Sequence, residues 1–165
     1  MAEDWLEHLI DGIKQGYHEA AERTAQLEHE QEIVLQKGPE VWCSFVGYIE
    51  KYARDAICAF GQDVTLRGGP LSVKVDPSGQ VQLEKKAFPY VEFSATPDFG
   101  GRTANVTYAK VNPKLEPHHT VRGTPIPCHF EVSREDKVYL LLNGRDCHEP
   151  QEAARLVFEK LFHID

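Results

Sequence analysis

The segment LSVKVDPSGQVQLE, residues 71–84, contains the clearest structural signal in the sequence. Apolar and polar residues alternate on both sides of its middle, and a period of two places the apolar side chains on one face of a strand. The middle reads Asp76-Pro77-Ser78-Gly79, in which proline fixes φ and glycine allows positive φ, so these residues predict a tight turn. The segment therefore predicts a β-hairpin.

The same alternation continues through the following sixty residues. It predicts strands near residues 90–95, 103–111, 129–133 and 138–142. Most of them have one apolar and one polar face, which is typical of an antiparallel sheet with one solvated face. Short connections favour a meander of about five or six strands. The absence of alternating strands and helices argues against a doubly wound nucleotide-binding fold.

Helical patterns flank this region on both sides. Residues 3–36 contain no proline, and Gly38-Pro39 predicts the end of a first helix because the residue before a proline disfavours the α conformation. A second helix is expected from about residue 40 to residue 60, and a last one begins near Pro150. The sequence thus predicts a single α+β domain over residues 1–165, with two N-terminal helices, an antiparallel meander and one C-terminal helix.

The first helix has the pattern of a coiled coil. Its apolar residues recur at spacings of four and three, which forms a heptad seam. A helix of this length measures roughly 50 Å, whereas the radius of gyration of a compact domain of this size is only about 15 Å. Residues 1–37 are therefore expected to project, to pack on the second helix, to fray or kink at Gly12 and Gly16, or to pair with another chain as in a homodimer. The candidate contact residues in the seam are Leu6, Ile10, Ile13 and Tyr17.

Composition narrows the range of partners and compartments. The net charge of −8 disfavours binding to nucleic acid or to an anionic membrane, since both require a positive surface. No run approaches the ~20 apolar residues of a membrane span, and the N-terminus has no signal-peptide pattern. The four cysteines are most simply reduced thiols of a cytoplasmic protein, and only Cys128 and Cys147 are a plausible intrachain pair.

The segment NPKLEPHHTVRGTPIP, residues 112–127, is the main candidate for a chemical site. It contains four prolines and no periodicity, and irregular loops of this length are usually either functional or disordered. A hairpin turn at residues 134–136 would place Cys128 opposite about Leu142, with Cys147 near enough to reach it. Zinc prefers four nitrogen or sulfur ligands. The candidate zinc ligands are His118, His119, Cys128 and Cys147. No recognised ligand spacing is present, and a buried thiol at Cys128 with polar loop histidines is the simpler interpretation.

No catalytic motif emerges from the sequence. It contains neither a nucleophile elbow nor a glycine-rich phosphate loop that leads into a helix. We therefore expect a small, acidic, non-enzymatic protein that binds a protein partner or itself, in an accessory, chaperone-like or immunity-type role. The alternative is a metal-dependent enzyme or metal-binding protein that uses the loop at residues 112–127. A third hypothesis is a small-molecule site on the polar face of the sheet or between the sheet and the helices.

Overall fold

The computed structural model describes residues 3–61, 71–85, 90–112, 119–120 and 124–162. The fold is α+β: in this part of the chain, one long N-terminal helix precedes nine strands and a C-terminal helix. The helices are α1 (Asp4–Gly61) and α2 (Pro150–Phe162), and the strands are β1 (Leu71–Val75), β2 (Val81–Lys85), β3 (Tyr90–Asp98), β4 (Thr103–Asn112), β5 (His119–Thr120), β6 (Thr124–Ile126), β7 (Cys128–Val132), β8 (Val138–Leu142) and β9 (Arg145–Cys147).

The strands form one antiparallel sheet in the order β1-β2-β3-β4-β7-β8-β9. This order confirms the predicted antiparallel meander, but the predicted number of strands is wrong. The excess arises mainly along the edge of β4 that does not contact β3, where β5, β6 and β7 follow one another. Pro127 separates β6 from β7, and proline cannot donate a hydrogen bond to the ladder. The irregular segment at residues 112–127 thus includes strand β6, while residues 113–118 and 121–123 lie outside the described part of the chain.

The hairpin at residues 71–84 forms as predicted. Val75 pairs with Val81, and the Gly79 N–H donates to the Asp76 carbonyl oxygen at 3.1 Å. Gly79 has a φ of 89°, which a residue with a side chain rarely adopts. The hairpin between β7 and β8 also has the predicted register, with Cys128 opposite Leu142.

The prediction of two N-terminal helices is wrong, because α1 continues through Pro39. A proline inside a helix costs about 3 kcal/mol and removes one hydrogen bond. Two features offset this cost. Leu35, whose carbonyl oxygen loses its partner, lies on the solvent side of the helix, as Pro39 does. Val34 and Trp42, on either side of the proline, are both buried in the core, so packing holds the two halves of α1 in one helix.

The C-terminal half of α1 packs against β1, β7, β8 and α2. Trp42 is at the centre of this contact. Its ring centroid lies 5.0 Å from that of Phe45 and 6.1 Å from that of Phe130, and its indole Nε1 donates to the Gly79 carbonyl oxygen at 2.7 Å. One side chain thereby joins α1, β7 and the β1–β2 turn. The other buried apolar residues in this part of α1 are Val46, Ile49 and Ala53.

We expect Trp42→Ala to lower the free energy of unfolding by about 3–5 kcal/mol, because it leaves a cavity and an unpaired carbonyl. Trp42→Phe is the matched control, since it keeps an aromatic ring and loses mainly the bond to Gly79, at about 1–2 kcal/mol. Urea denaturation measures both values. A loss below about 1 kcal/mol for Trp42→Ala would show that this contact does not hold α1 to the sheet.

Candidate functional site

The N-terminal half of α1 extends beyond the sheet. Every residue from Asp4 to His29 is exposed, and burial begins only at Glu30. We call residues 4–29 the projecting segment. At 1.5 Å per residue it is about 39 Å long. In proteins most helical stability comes from the packing of an apolar face, and the side chains of this segment are exposed.

One side of the projecting segment is apolar. Leu27, 59% exposed, lies on this side near the end of the segment, and six large side chains nearer the N-terminus are exposed by fractions that range from 41% for Ile10 to 74% for Tyr17. At about 100° per residue they occupy an arc of about 140° on the helix surface. Together they present on the order of 700 Å² of accessible area, more than the largest apolar patch of a typical monomer. We call this set the apolar stripe: Trp5, Leu6, Leu9, Ile10, Ile13 and Tyr17.

The apolar stripe lies on the same face of α1 as the residues that pack against the sheet. In an ideal helix, Phe45, Ile49 and Ala53 fall within the arc that the stripe occupies. Those three residues contact the body of the protein, whereas the stripe contacts no other element of the described chain. The face of α1 that packs on the core therefore continues along the projecting segment, where its apolar side chains are exposed.

Two turns of the sheet hold α1 where the projecting segment ends. Arg102, in the β3–β4 turn, donates to Glu30 at 3.0 Å, and Gln31 donates to the Gly100 carbonyl oxygen at 2.9 Å. In the β7–β8 turn, the Asp136 carbonyl oxygen accepts a hydrogen bond from Lys37 Nζ at 2.9 Å. The side-chain carboxylate of Asp136 lies 3.3 Å from His29 Nε2. We call these contacts the collar. They fix the direction in which the helix leaves the sheet.

The projecting segment also contains two glycines next to the apolar stripe. A Cβ atom added at Gly12 or Gly16 would meet nothing within 4 Å. Glycine costs about 1 kcal/mol relative to alanine inside a helix. The two residues therefore lower helix stability without relieving any contact in the described chain.

The residues Leu6, Ile10, Ile13 and Tyr17, which the heptad pattern selects, all lie in the apolar stripe. The pattern misses Trp5 and Leu9, because the heptad rule counts only the two central positions of each repeat. Their angular position, at about 100° per residue, would have placed them beside the seam. The collar residues Glu30, Arg102 and Asp136 have no sequence signal, since their contacts depend on the tertiary fold.

Cys128 and Cys147 lie on either side of β8. Cys128 pairs with Leu142 in the ladder and Cys147 pairs with Leu140, so two strand spacings, roughly 10 Å, separate their backbones. That separation exceeds the reach of a disulfide, and both thiols are free. Burial, followed by the neighbouring Cys147, raises the pKa of the Cys128 thiol to about 12, and burial also raises the pKa of Cys147.

The metal hypothesis is not resolved by these positions. Cys128 and Cys147 lie on strands that flank β8, and their register is the only relation between these two candidate ligands that the ladder fixes. His118 and the side chain of His119 lie outside the described part of the chain. Among the side chains that are described, no group of three or more histidines, cysteines or acids is arranged to hold a metal. Zinc binding by the loop histidines stays a prediction, and the metal content of His118→Ala and His119→Ala tests it.

We expect two thiols to react rapidly with a disulfide reagent at pH 8 and two to react at least about tenfold more slowly, because the thiolate is the nucleophile. Cys43 and Cys58 are exposed on α1, whereas Cys128 and Cys147 are buried. A titration with and without denaturant counts the two classes, and Cys43→Ser with Cys58→Ser should remove the fast class. Four fast thiols in the folded protein would contradict the burial.

A cavity lies between the sheet and α2. This cavity has a volume of about 550 Å³, within the range of small-molecule sites. Its lining includes apolar side chains of several strands and of α2, together with charged side chains of both signs. The apolar residues include Phe93, Val106, Ile126, Leu142 and Leu156, and the charged residues are Arg145, Glu159 and Lys160.

No protein-family model, curated protein or solved structure matches this chain. Within the described residues, neither helix has an apolar stretch of the length needed to span a membrane. The functional argument therefore rests on the geometry of the chain itself.

Proposed function

We propose that this chain is a non-enzymatic accessory protein that binds another polypeptide through the apolar stripe of α1. The exposure of six large apolar side chains on one face of a helix supports this proposal most directly. Burying each of them would contribute about 1.5–3 kcal/mol. Patches of this size on a surface usually mark an interaction site.

Two further observations support the proposal. The collar holds the base of the projecting segment through four hydrogen bonds or ion pairs from two turns, so the helix is presented in a fixed direction. Pre-orientation of this kind lowers the entropy lost on binding. The four free cysteines favour a reducing compartment such as the cytoplasm as the site of action.

We expect Ile10→Asp combined with Ile13→Asp to abolish binding, because charged side chains cannot be buried on an apolar surface without a large cost. A photo-crosslinking amino acid at position 13 reports the contact in cells, whichever protein provides it. The same reagent at Glu22, on the opposite face of α1, is the matched control. Leu35→Asp, at a position of similar exposure beside the sheet, controls for the added charge.

Crosslinked products are expected at position 13 and not at position 22, and the double aspartate variant should remove them. Since the stripe contacts no other element of the described chain, that variant should keep its fold. Equal crosslinking at the two positions, or none at either, would contradict the proposal.

The cavity between the sheet and α2 supports a second candidate function, the binding of a small apolar acid. The apolar lining would accept a hydrocarbon chain, and the two basic residues, Arg145 and Lys160, outnumber the one acidic residue, Glu159, which favours a carboxylate. Decanoate is a suitable probe for isothermal titration calorimetry. We expect stoichiometric binding that Leu156→Trp removes by filling the cavity and that the double aspartate variant in the stripe retains. Binding that survives Leu156→Trp would locate the probe elsewhere.

A further inference from the structure

We propose that the occupant of the apolar stripe is a second copy of this chain, paired antiparallel about a two-fold axis that passes between Asp11 and Gly12. This inference rests on the proposed function and specifies its partner. In this register Ile10 of one copy lies opposite Ile13 of the other, and Leu6 lies opposite Tyr17. Each of these contacts occurs twice, because the arrangement is symmetric.

The residues that flank the seam are complementary in this register. Glu7 and Lys14 occupy equivalent positions of successive heptads, on the side of the seam away from Leu9. In an antiparallel pair such positions face each other, so Glu7 of each copy lies within about 3 Å along the axis of Lys14 of the other. Two ion pairs of opposite charge result. Within one chain, Glu7 and Lys14 are seven residues apart, whereas ion pairs along a helix form between residues three or four apart. The two residues therefore do not pair within the same helix.

The other flank is complementary in size. Gly16 of one copy lies, along the axis, midway between Trp5 and Leu9 of the other. Because no described residue of its own chain lies within 4 Å of a Cβ at Gly16, the partner's two large side chains have space there. This flank has two bulky residues near the N-terminus, Trp5 and Leu9, and a glycine, Gly16, farther along. Only an antiparallel pair places the bulky residues of one copy beside the glycine of the other.

Other registers conflict with the charges or with the body of the protein. A shift of one heptad places Lys14 opposite Lys14 of the other copy. A shift of two heptads places Glu7 opposite Glu28 and drives the N-terminus of one copy into Ile33 and Val34 of the other, where α1 packs on the sheet. Like charges at such positions are destabilising.

A parallel pair fails for a steric reason. The sheet covers the stripe face of α1 from about residue 33 onward. In a parallel pair, each helix would run along that face into the sheet of the other copy. In the proposed antiparallel register, Asp4 of one copy reaches about residue 19 of the other, roughly ten residues or 15 Å before Glu30. The two bodies then lie at opposite ends of the pair.

The area of contact fits a stable dimer. The stripe presents on the order of 700 Å² per copy, and a standard interface takes about 800 Å² from each partner. Side chains at the flanks supply the remainder. Two copies of the chain therefore supply enough contact area for a dimer without another molecule.

Charge reversal tests the register. Glu7→Lys alone places two lysines against two lysines, and Lys14→Glu alone places two glutamates against two glutamates. We expect each homodimer to weaken about tenfold at low salt, as two exposed ion pairs become two repulsions. An equal mixture of the two variants should form a heterodimer of native affinity. Sedimentation equilibrium and native mass spectrometry of the full chain measure the affinities and the composition of the dimers.

Each outcome discriminates between the claims. A dimer that is insensitive to Glu7→Lys would overturn the register. A monomer at all concentrations, together with a crosslink from position 13 to a different protein, would overturn self-association and leave the proposed function in place. A monomer without any crosslink would overturn both. Glu22→Lys, which changes charge by the same amount on the opposite face, should leave the dimer unchanged, and 1 M salt should reduce the effect of both flank variants.

Discussion

The length of α1 exceeds the width of the sheet on which it packs, and the rest of the molecule follows from that mismatch. The helix has 58 residues and is about 87 Å long. The seven strands in the main path of the sheet span roughly 29 Å. The buried part of α1, from Val34 to Ala53, is about as long as that width. The first half of the helix extends past the β3–β4 and β7–β8 turns, where its contacts with the sheet end.

The surplus helix is positioned rather than loose at its base. Trp42 anchors the buried half of α1 to the β1–β2 turn, and the collar holds residues 29–37 against two other turns. Close packing supports the collar, because a Cβ at Gly38 would approach the Phe99 ring to 3.1 Å. Since the core face and the apolar stripe share one side of the helix, any molecule on the stripe approaches from the side on which the sheet lies. That geometry is compatible with the proposed antiparallel pair, in which the two bodies lie apart.

Local patterns in the sequence predicted the features that depend on local chemistry. Alternation and turn residues predicted the hairpin at residues 71–84 and the register of Cys128 with Leu142. They failed where tertiary packing overrides a local preference. Pro39 predicts a helix end, but burial on both sides of it outweighs the cost of the proline. The heptad pattern identified most of the apolar stripe, whereas the collar joins residues up to 107 positions apart and leaves no periodic signal.

Hydrogen exchange of the amides in residues 6–20 tests most directly whether the apolar stripe is covered in the native protein. A bare projecting helix opens readily and exchanges fast, since no tertiary contact protects it. We expect the amides of residues 6–20 to exchange slowly at micromolar concentration. This protection should be lost on dilution and in the double aspartate variant, while residues 42–53 stay protected throughout. Fast exchange of residues 6–20 under every condition, with or without cell extract, would show that nothing binds the stripe and would contradict the account.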